Sequence, residues 1–421
     1  MIRLPLQIAL TFLLLVAALP GQAQVIKLSG ADLGPLAGEP SQPYRFFRYR
    51  NNRMEPIPHQ WMAMTDEGLP WFSSDERSSR VGEEGRINAE DQLLLRLADA
   101  GDKLDRAVSE QVVGELMIND GGGERYFYVV RNAFQQSTQR YIRFDQDANE
   151  IKSTHYSLSM APDNMLIWKD FFYRGYRDQH GRQSTILDTM KLRLSAGILG
   201  DRQRINLTND NLSPRIEEVV EGPLAVTMYV TTSVRVARVP ILRVRNYFVV
   251  MPNQVDIHSR FTLPGAASAV LSRPAMSFSL DGNALYGGRL RTSWTGRLEG
   301  VVDGELSRDE QAMLEQPMTG ERNWLHFSTG RNFDMLAELA FLEGFDAPVK
   351  LIYQDDATLE NPPERFPGQL PNVGFSIEDI PIGEDFYFVA RMMFSGDSDG
   401  LSAERYATRM LSEPEIRFSS M

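Results

Sequence analysis

From Arg140 onward the chain repeats one pattern: short runs in which apolar and polar residues alternate, closed by glycine, proline or asparagine turns roughly every ten residues. "RYIRFDQDANEIKSTHYSLSM", "DTMKLRLSAGI", "RIEEVVEGPLAVTMYVTTSVRVARVPILRVRNYFVVMPNQVDIHSRFTLP", "PVKLIYQD" and "DFYFVARMMFSG" all carry it. Alternation of period two puts successive side chains on opposite faces of a strand. Helical patterns are rare: "SRDEQAMLEQ" (307–316) and "SAERYATRML" (402–411), each opened by a serine cap. Many antiparallel strands with short turns require sheets packed face to face rather than a doubly wound α/β fold. The fold class expected is mainly β: a small N-terminal Ig-like sandwich, then a large antiparallel two-sheet sandwich.

The division follows local composition. Residues 24–80 are rich in proline, arginine and aromatics, and "YRFFRY" reads as a strand covered on both faces. "AEDQLLLRLADA" fits either a three-turn helix or a short buried strand; the strands around it favour the strand. "GELMIND" and "RYFYVVRNA" form a hairpin about Gly121, Gly122 and Gly123, whereas residues 73–85 are charged and aperiodic, a loop. A polar seam at 132–139 separates an N-terminal domain, 24–135, from a large sandwich, 136–421.

"MIRLPLQIALTFLLLVAALPGQAQ" has one early positive charge, an apolar run and small residues before Gln24. That is the form of a secretory signal peptide, residues 1–23, cut after Ala23. The run is short of the ~20 residues a membrane span needs, and no later segment approaches that length. A periplasmic or secreted protein with no span in the mature chain is expected. The chain has no cysteine, which excludes disulfides and thiolate metal sites. Its net charge of −12 argues against a nucleic-acid partner, since phosphate contacts need a basic footprint. No phosphate loop, dinucleotide fingerprint or nucleophile elbow occurs, so no cofactor is expected and catalysis is left open.

The segment "IEEVVEGPLAVTMYV", followed by an arginine-rich strand and "YFVVMPNQVDIHSRFTLPG", resembles the middle of galactose-mutarotase-like supersandwiches. That resemblance implies a long antiparallel meander whose concave sheet carries a sugar site built from histidines and acids; only His258 and nearby acids match it.

The same segment supplies the main candidate site. A turn at Met251–Gln254 sets Val250 opposite Val255 and Phe248 opposite Ile257, an apolar face. The other face then pairs Tyr247 with His258 and Arg245 with Arg260, with Arg243 and Asp256 nearby. Like charges directly opposed are destabilising unless something anionic lies between them. The counter-charge is either internal (Glu217, Glu218 or Asp256) or a bound anion such as an acidic glycan, for which arginine's planar fork is suited. Asp145, Asp147 and Asn149 have the spacing that opens calcium loops, but Glu150 replaces the required glycine, so a polar hairpin turn is the better reading. His59, His155, His180 and His326 lack metal-ligand spacing. Two functions follow: a carbohydrate-associated protein with a glycan ligand on the Arg243, Arg245, Tyr247, Asp256, His258 and Arg260 face, or a non-catalytic cell-envelope protein using its sandwiches for contacts with an unidentified protein partner.

Overall fold

A computed structural model describes residues 24–104, 111–236, 239–318, 323–341, 348–396 and 400–421. The expected leader lies outside the described residues.

Strands dominate, and the two helices, Arg308–Glu315 and Ala403–Leu411, start where the serine caps predict. At the first of them Ser307 and Glu310 form a capping box, each side chain accepting the other's backbone N–H. The ambiguous segment around Leu93–Leu95 is a strand, Gln92–Arg96, with all three leucines fully buried. Five consecutive residues with apolar stems suit a strand buried on both faces better than a surface helix.

The N-terminal part is a small sandwich. A three-stranded sheet contains Val25–Ser29, Gln92–Arg96 and Gln60–Met62. A five-stranded sheet orders Glu415–Ser420, Val112–Asn119, Glu124–Arg131, Tyr44–Arg50 and Arg53–Pro56. Leu28, Leu93, Leu116 and Phe127 form the core between them. One edge strand comes from the C-terminus: Ile416 pairs with Ile118 and Phe418 with Leu116. Gly114 makes room for it, because a Cβ there would stand 2.2 Å from the Phe418 ring.

The large sandwich sets a nine-stranded sheet against a five-stranded one. The nine-stranded sheet runs Leu212–Glu221, Val226–Val236, Val239–Met251, Gln254–Thr262, Asp385–Ser395, Asp334–Phe341, Asn323–Ser328, Arg289–Thr292 and Gly300–Val301. Facing it are Arg204–Leu207, Leu187–Ile198, Leu271–Gly282, Gln369–Ile377 and Val349–Asp356. A four-stranded sheet over Ile142–Tyr173 contributes Phe144, Leu158 and Trp168 to the same core. The register expected for the central hairpin is present: Arg245 pairs with Arg260, Tyr247 with His258, Phe248 with Ile257 and Val250 with Val255. Phe248, Val250 and Val255 are buried between the sheets, so the other face of this hairpin points away from the large core.

Candidate functional site

The outward face of the central hairpin is roofed by the N-terminal region. Leu69 and Phe72, just before the aperiodic loop, are buried against it, with Phe72 5.9 Å from Tyr229 and 6.2 Å from Tyr247 between ring centroids. Asp75 follows in the same loop. Its carboxylate accepts hydrogen bonds from Tyr247 Oη (2.5 Å) and Tyr229 Oη (3.3 Å), and Arg245 Nη1 stands 3.8 Å away. Burial disfavours the charge on Asp75, but the bonds from Tyr247, Ser78 and the Arg77 backbone N–H, with the Arg245 charge, outweigh it and hold the carboxyl below its ordinary value. Arg260 lies between Glu67 and Asp385 and is ion-paired with both.

The rest of the face is similarly occupied. Asp256 is fully buried, receives Lys27 Nζ at 2.6 Å and Gln254 Nε2 at 2.8 Å, and has Arg391 at 3.5 Å. Desolvation opposes its charge, yet Lys27 and Arg391 hold it down at about 2. His258 Nδ1 is 2.7 Å from Tyr387 Oη, and burial pushes the imidazole down to about 4, so it is neutral at pH 7. Arg243 alone of the six candidates is exposed.

The opposed arginines therefore have internal counter-charges, and these are not the ones the sequence suggests. Glu217 accepts from Thr231, and Glu218 from Ser73 and the Ser74 backbone. Asp75 and Glu67 do the work from a loop without periodicity, 172 residues from Tyr247 in the case of Asp75. Over Arg245, Tyr247 and Arg260 the outward face is packed against Phe72, Asp75 and Glu67. Asp145, Asp147 and Asn149 form the turn of the hairpin Ile142–Ser153. Asp145 Oδ1 accepts the Ala148 N–H, and Asn149 donates its amide N–H to Ala161 O.

A second polar cluster, on the outward side of the five-stranded sheet, carries no sequence motif. Met190 and Leu192 point into the core, so Lys191 points out, yet it is fully buried. Its Nζ lies 2.7 Å from Asp281 Oδ2, 2.8 Å from Glu364 Oε1 and 3.1 Å from Gln369 Oε1. Asp281 sits on the neighbouring strand, and Glu364 on the segment that connects Val349–Asp356 to Gln369–Ile377. Asp188, shifted by a bulge after Leu187, accepts the Arg365 backbone N–H at 2.9 Å. Arg193 reaches the same segment through Pro362 O (2.5 Å).

Desolvation, with the Glu364 carboxyl beside it, raises Asp188 to about 6. Burial raises Asp281 to about 7 despite its lysine. Glu364 goes the other way: burial opposes its charge, but Lys191 and the Asn361 backbone N–H lower it. Carboxylate oxygens of Asp188, Asp281 and Glu364 come within 4.8 Å of one another, a spacing a cation could bridge. The Lys191 ammonium already fills that place. What the arrangement can do is hold and release a proton near neutrality. Asp281 Oδ1 and Glu364 Oε2 are also buried without a hydrogen-bond donor among the described residues.

No family model and no curated sequence matches this chain. Solved structures are similar to it at low identity. An alpha-mannosidase from Enterococcus faecalis V583 is 8% identical at a TM-score of 0.49, over 94% of this chain and 44% of its own. The chain thus spans less than half the length of that enzyme. A mutarotase candidate (YeaD) from Salmonella typhimurium is 10% identical at a TM-score of 0.33, over 59% of this chain and 90% of its own. An aldose 1-epimerase candidate from Escherichia coli K12 is 9% identical at a TM-score of 0.30, over 57% and 96%.

Proposed function

We propose that the chain is an exported carbohydrate-associated protein, with a sugar site at the 361–365 segment that covers the buried cluster of Lys191, Asp281, Asp188 and Glu364. The observation that carries this reading is the cluster itself, one lysine and three carboxyls drawn together beneath that segment, two of the carboxyls raised toward neutrality. Sugar hydroxyls are the donors that fit them, and carboxylates with adjacent amide and guanidinium groups are the means of holding a polyol. A neutral glycan is favoured over an acidic one. An acidic glycan on the Arg245–Arg260 face would have to displace Asp75 and Glu67, and on the second face it would meet three carboxyls.

A thermal-shift series of the purified mature chain with neutral and acidic oligosaccharides tests the proposal. A neutral oligosaccharide should raise the melting temperature of the wild type, and Asp281→Asn should abolish the rise. Absence of a shift with every sugar would sink it and leave the envelope-protein reading, which the closely packed contact between the N-terminal region and the large sheet favours.

A further inference from the structure

One end of the large sandwich presents apolar side chains to water, and the strand pairing shows which connections meet there. The strand Gln254–Thr262 runs antiparallel to Val239–Met251, with Arg260 opposite Arg245, so its end lies beside the place where Val239 pairs back to Val236. The connection 263–270 then leads to Leu271, which pairs with Ile198 on the facing sheet. The turn 199–203 follows Ile198 and is tied to that connection, since the Leu199 N–H donates to Val270 O at 2.8 Å. The connection 378–384 joins them, because Leu263 bridges Ile382 and Thr262 pairs with Asp385.

At this end Leu199 is 82% exposed, Val239 61%, Val270 47% and Ile241 46%. Leu199 carries a second cost. Its φ is +51°, the left-handed region that a leucine occupies only under strain and that glycine or asparagine would fill without placing an apolar side chain in water. Strain held at an exposed apolar residue is a mark of function, since packing gains nothing from it. The charges beside these tips have one prevailing sign. Arg202, in the same turn as Leu199, and Arg235 and Arg243, on the hairpin that carries Val239 and Ile241, are exposed and form no ion pair among the described residues. Of the acids in the connecting loops, Asp201, Glu378 and Asp379 are engaged by Arg204, Lys350 and Arg273, and Glu384 is not.

We propose that this end docks on a phospholipid surface bearing anionic headgroups, with Leu199, Val239, Ile241 and Val270 entering the interface. A protein partner calls for one contiguous apolar face. Here the apolar groups stand on separate connections from both sheets, which a fluid layer covers one tip at a time. Headgroups surround an inserted tip on every side, so arginines on the outward faces of their strands meet them as readily as Arg202 in its turn. This surface goes beyond the sugar site and does not depend on it.

The test is flotation of the mature chain with vesicles of phosphatidylcholine alone and of phosphatidylcholine mixed with phosphatidylglycerol, at low and high salt. Flotation with the mixed vesicles is expected, about tenfold above phosphatidylcholine alone at low salt and weaker as salt rises. Leu199→Asp with Ile241→Asp should remove it. Both side chains are exposed and aspartate tolerates the left-handed conformation, so an unchanged melting transition is the control for folding. Arg202→Ser with Arg235→Ser should lower flotation with the mixed vesicles to the level of phosphatidylcholine alone. Absence of flotation with either vesicle overturns the proposal, as does undiminished flotation of the folded double-aspartate variant. Equal flotation with the two vesicles overturns the anionic assignment.

Discussion

Asp75→Ala tests the packed interface over the central hairpin most directly. The carboxylate is 3% exposed and serves Tyr247, Tyr229, Ser78 and the Arg77 backbone N–H while facing Arg245. Its removal leaves the buried Tyr247 hydroxyl without its acceptor, at about 1–3 kcal/mol. It also leaves Arg245, largely covered by Phe72 and its neighbours, without a counter-charge. Breaking one partner of a buried charged set costs about 3–5 kcal/mol in all. With an unfolding entropy near 2.1 cal/mol/K per residue, roughly 400 residues give about 0.8 kcal/mol per degree, so the melting temperature should fall by about 4–6 °C at pH 7. Differential scanning calorimetry reads this without any ligand. The Asp75 carboxyl is held below its ordinary value, so its contribution is present above about pH 4 and is lost as pH falls through the lowered value. Wild type and variant should therefore converge in acid. A change within about 0.5 kcal/mol at pH 7, the range of an ordinary surface substitution, would refute the argument that this loop supplies the counter-charge.

Arg260→Ala should also destabilise the ligand-free protein, but by only about 1–2 kcal/mol, because Glu67 and Asp385 are partly exposed partners. Unchanged melting would reopen that edge of the face to a ligand. Lys27→Met should cost about 1–3 kcal/mol by removing the nearer of the two cations beside Asp256, Arg391 remaining, measurable as a drop in the denaturant midpoint at constant slope. Asp281, raised to about 7, binds protons more tightly folded than unfolded; its stabilising effect is full below about pH 4 and disappears as pH rises through 7. Asp281→Asn should consequently gain stability relative to wild type between pH 4 and 8, and parallel curves would contradict the assigned environment. If the proposed leader is removed, Edman sequencing of the protein recovered from its native cells should begin at Gln24; residues 1–23 still attached would overturn the leader assignment.

The central hairpin was legible because two local facts agree. The Met251–Gln254 turn and the apolar set Phe248, Val250, Val255 and Ile257 admit one register, and a slip of one residue would turn that set to the wrong face. The helices were legible from their serine caps, and the two sandwiches from alternation. What lies over the hairpin was not legible. Residues 65–80 have no period, and nothing in "FSSDERSSR" ties Asp75 to a tyrosine 172 residues later. The Lys191 cluster was hidden for the same reason, since Glu364 is 173 residues away. The one local hint is Lys191 itself, a charge in the strand Leu187–Ile198 flanked by Met190 and Leu192, which face the core. Long-range polar contacts follow from the tertiary path, which alternation alone does not determine.

The edge strand Glu415–Ser420 has a consequence for the order of events in the cell. Its partner, Val112–Asn119, is made roughly three hundred residues earlier. A ribosome releases chain from the N-terminus at about 5–20 residues per second, so the first sheet waits some tens of seconds for its last member. Until then one side of Val112–Asn119 shows a row of unpaired backbone donors and acceptors, and Gly114 an unfilled hollow where the Phe418 ring belongs. The earliest part of the molecule to emerge is thus among the last to be finished, and a chain interrupted before residue 415 carries an adhesive edge that the complete one conceals.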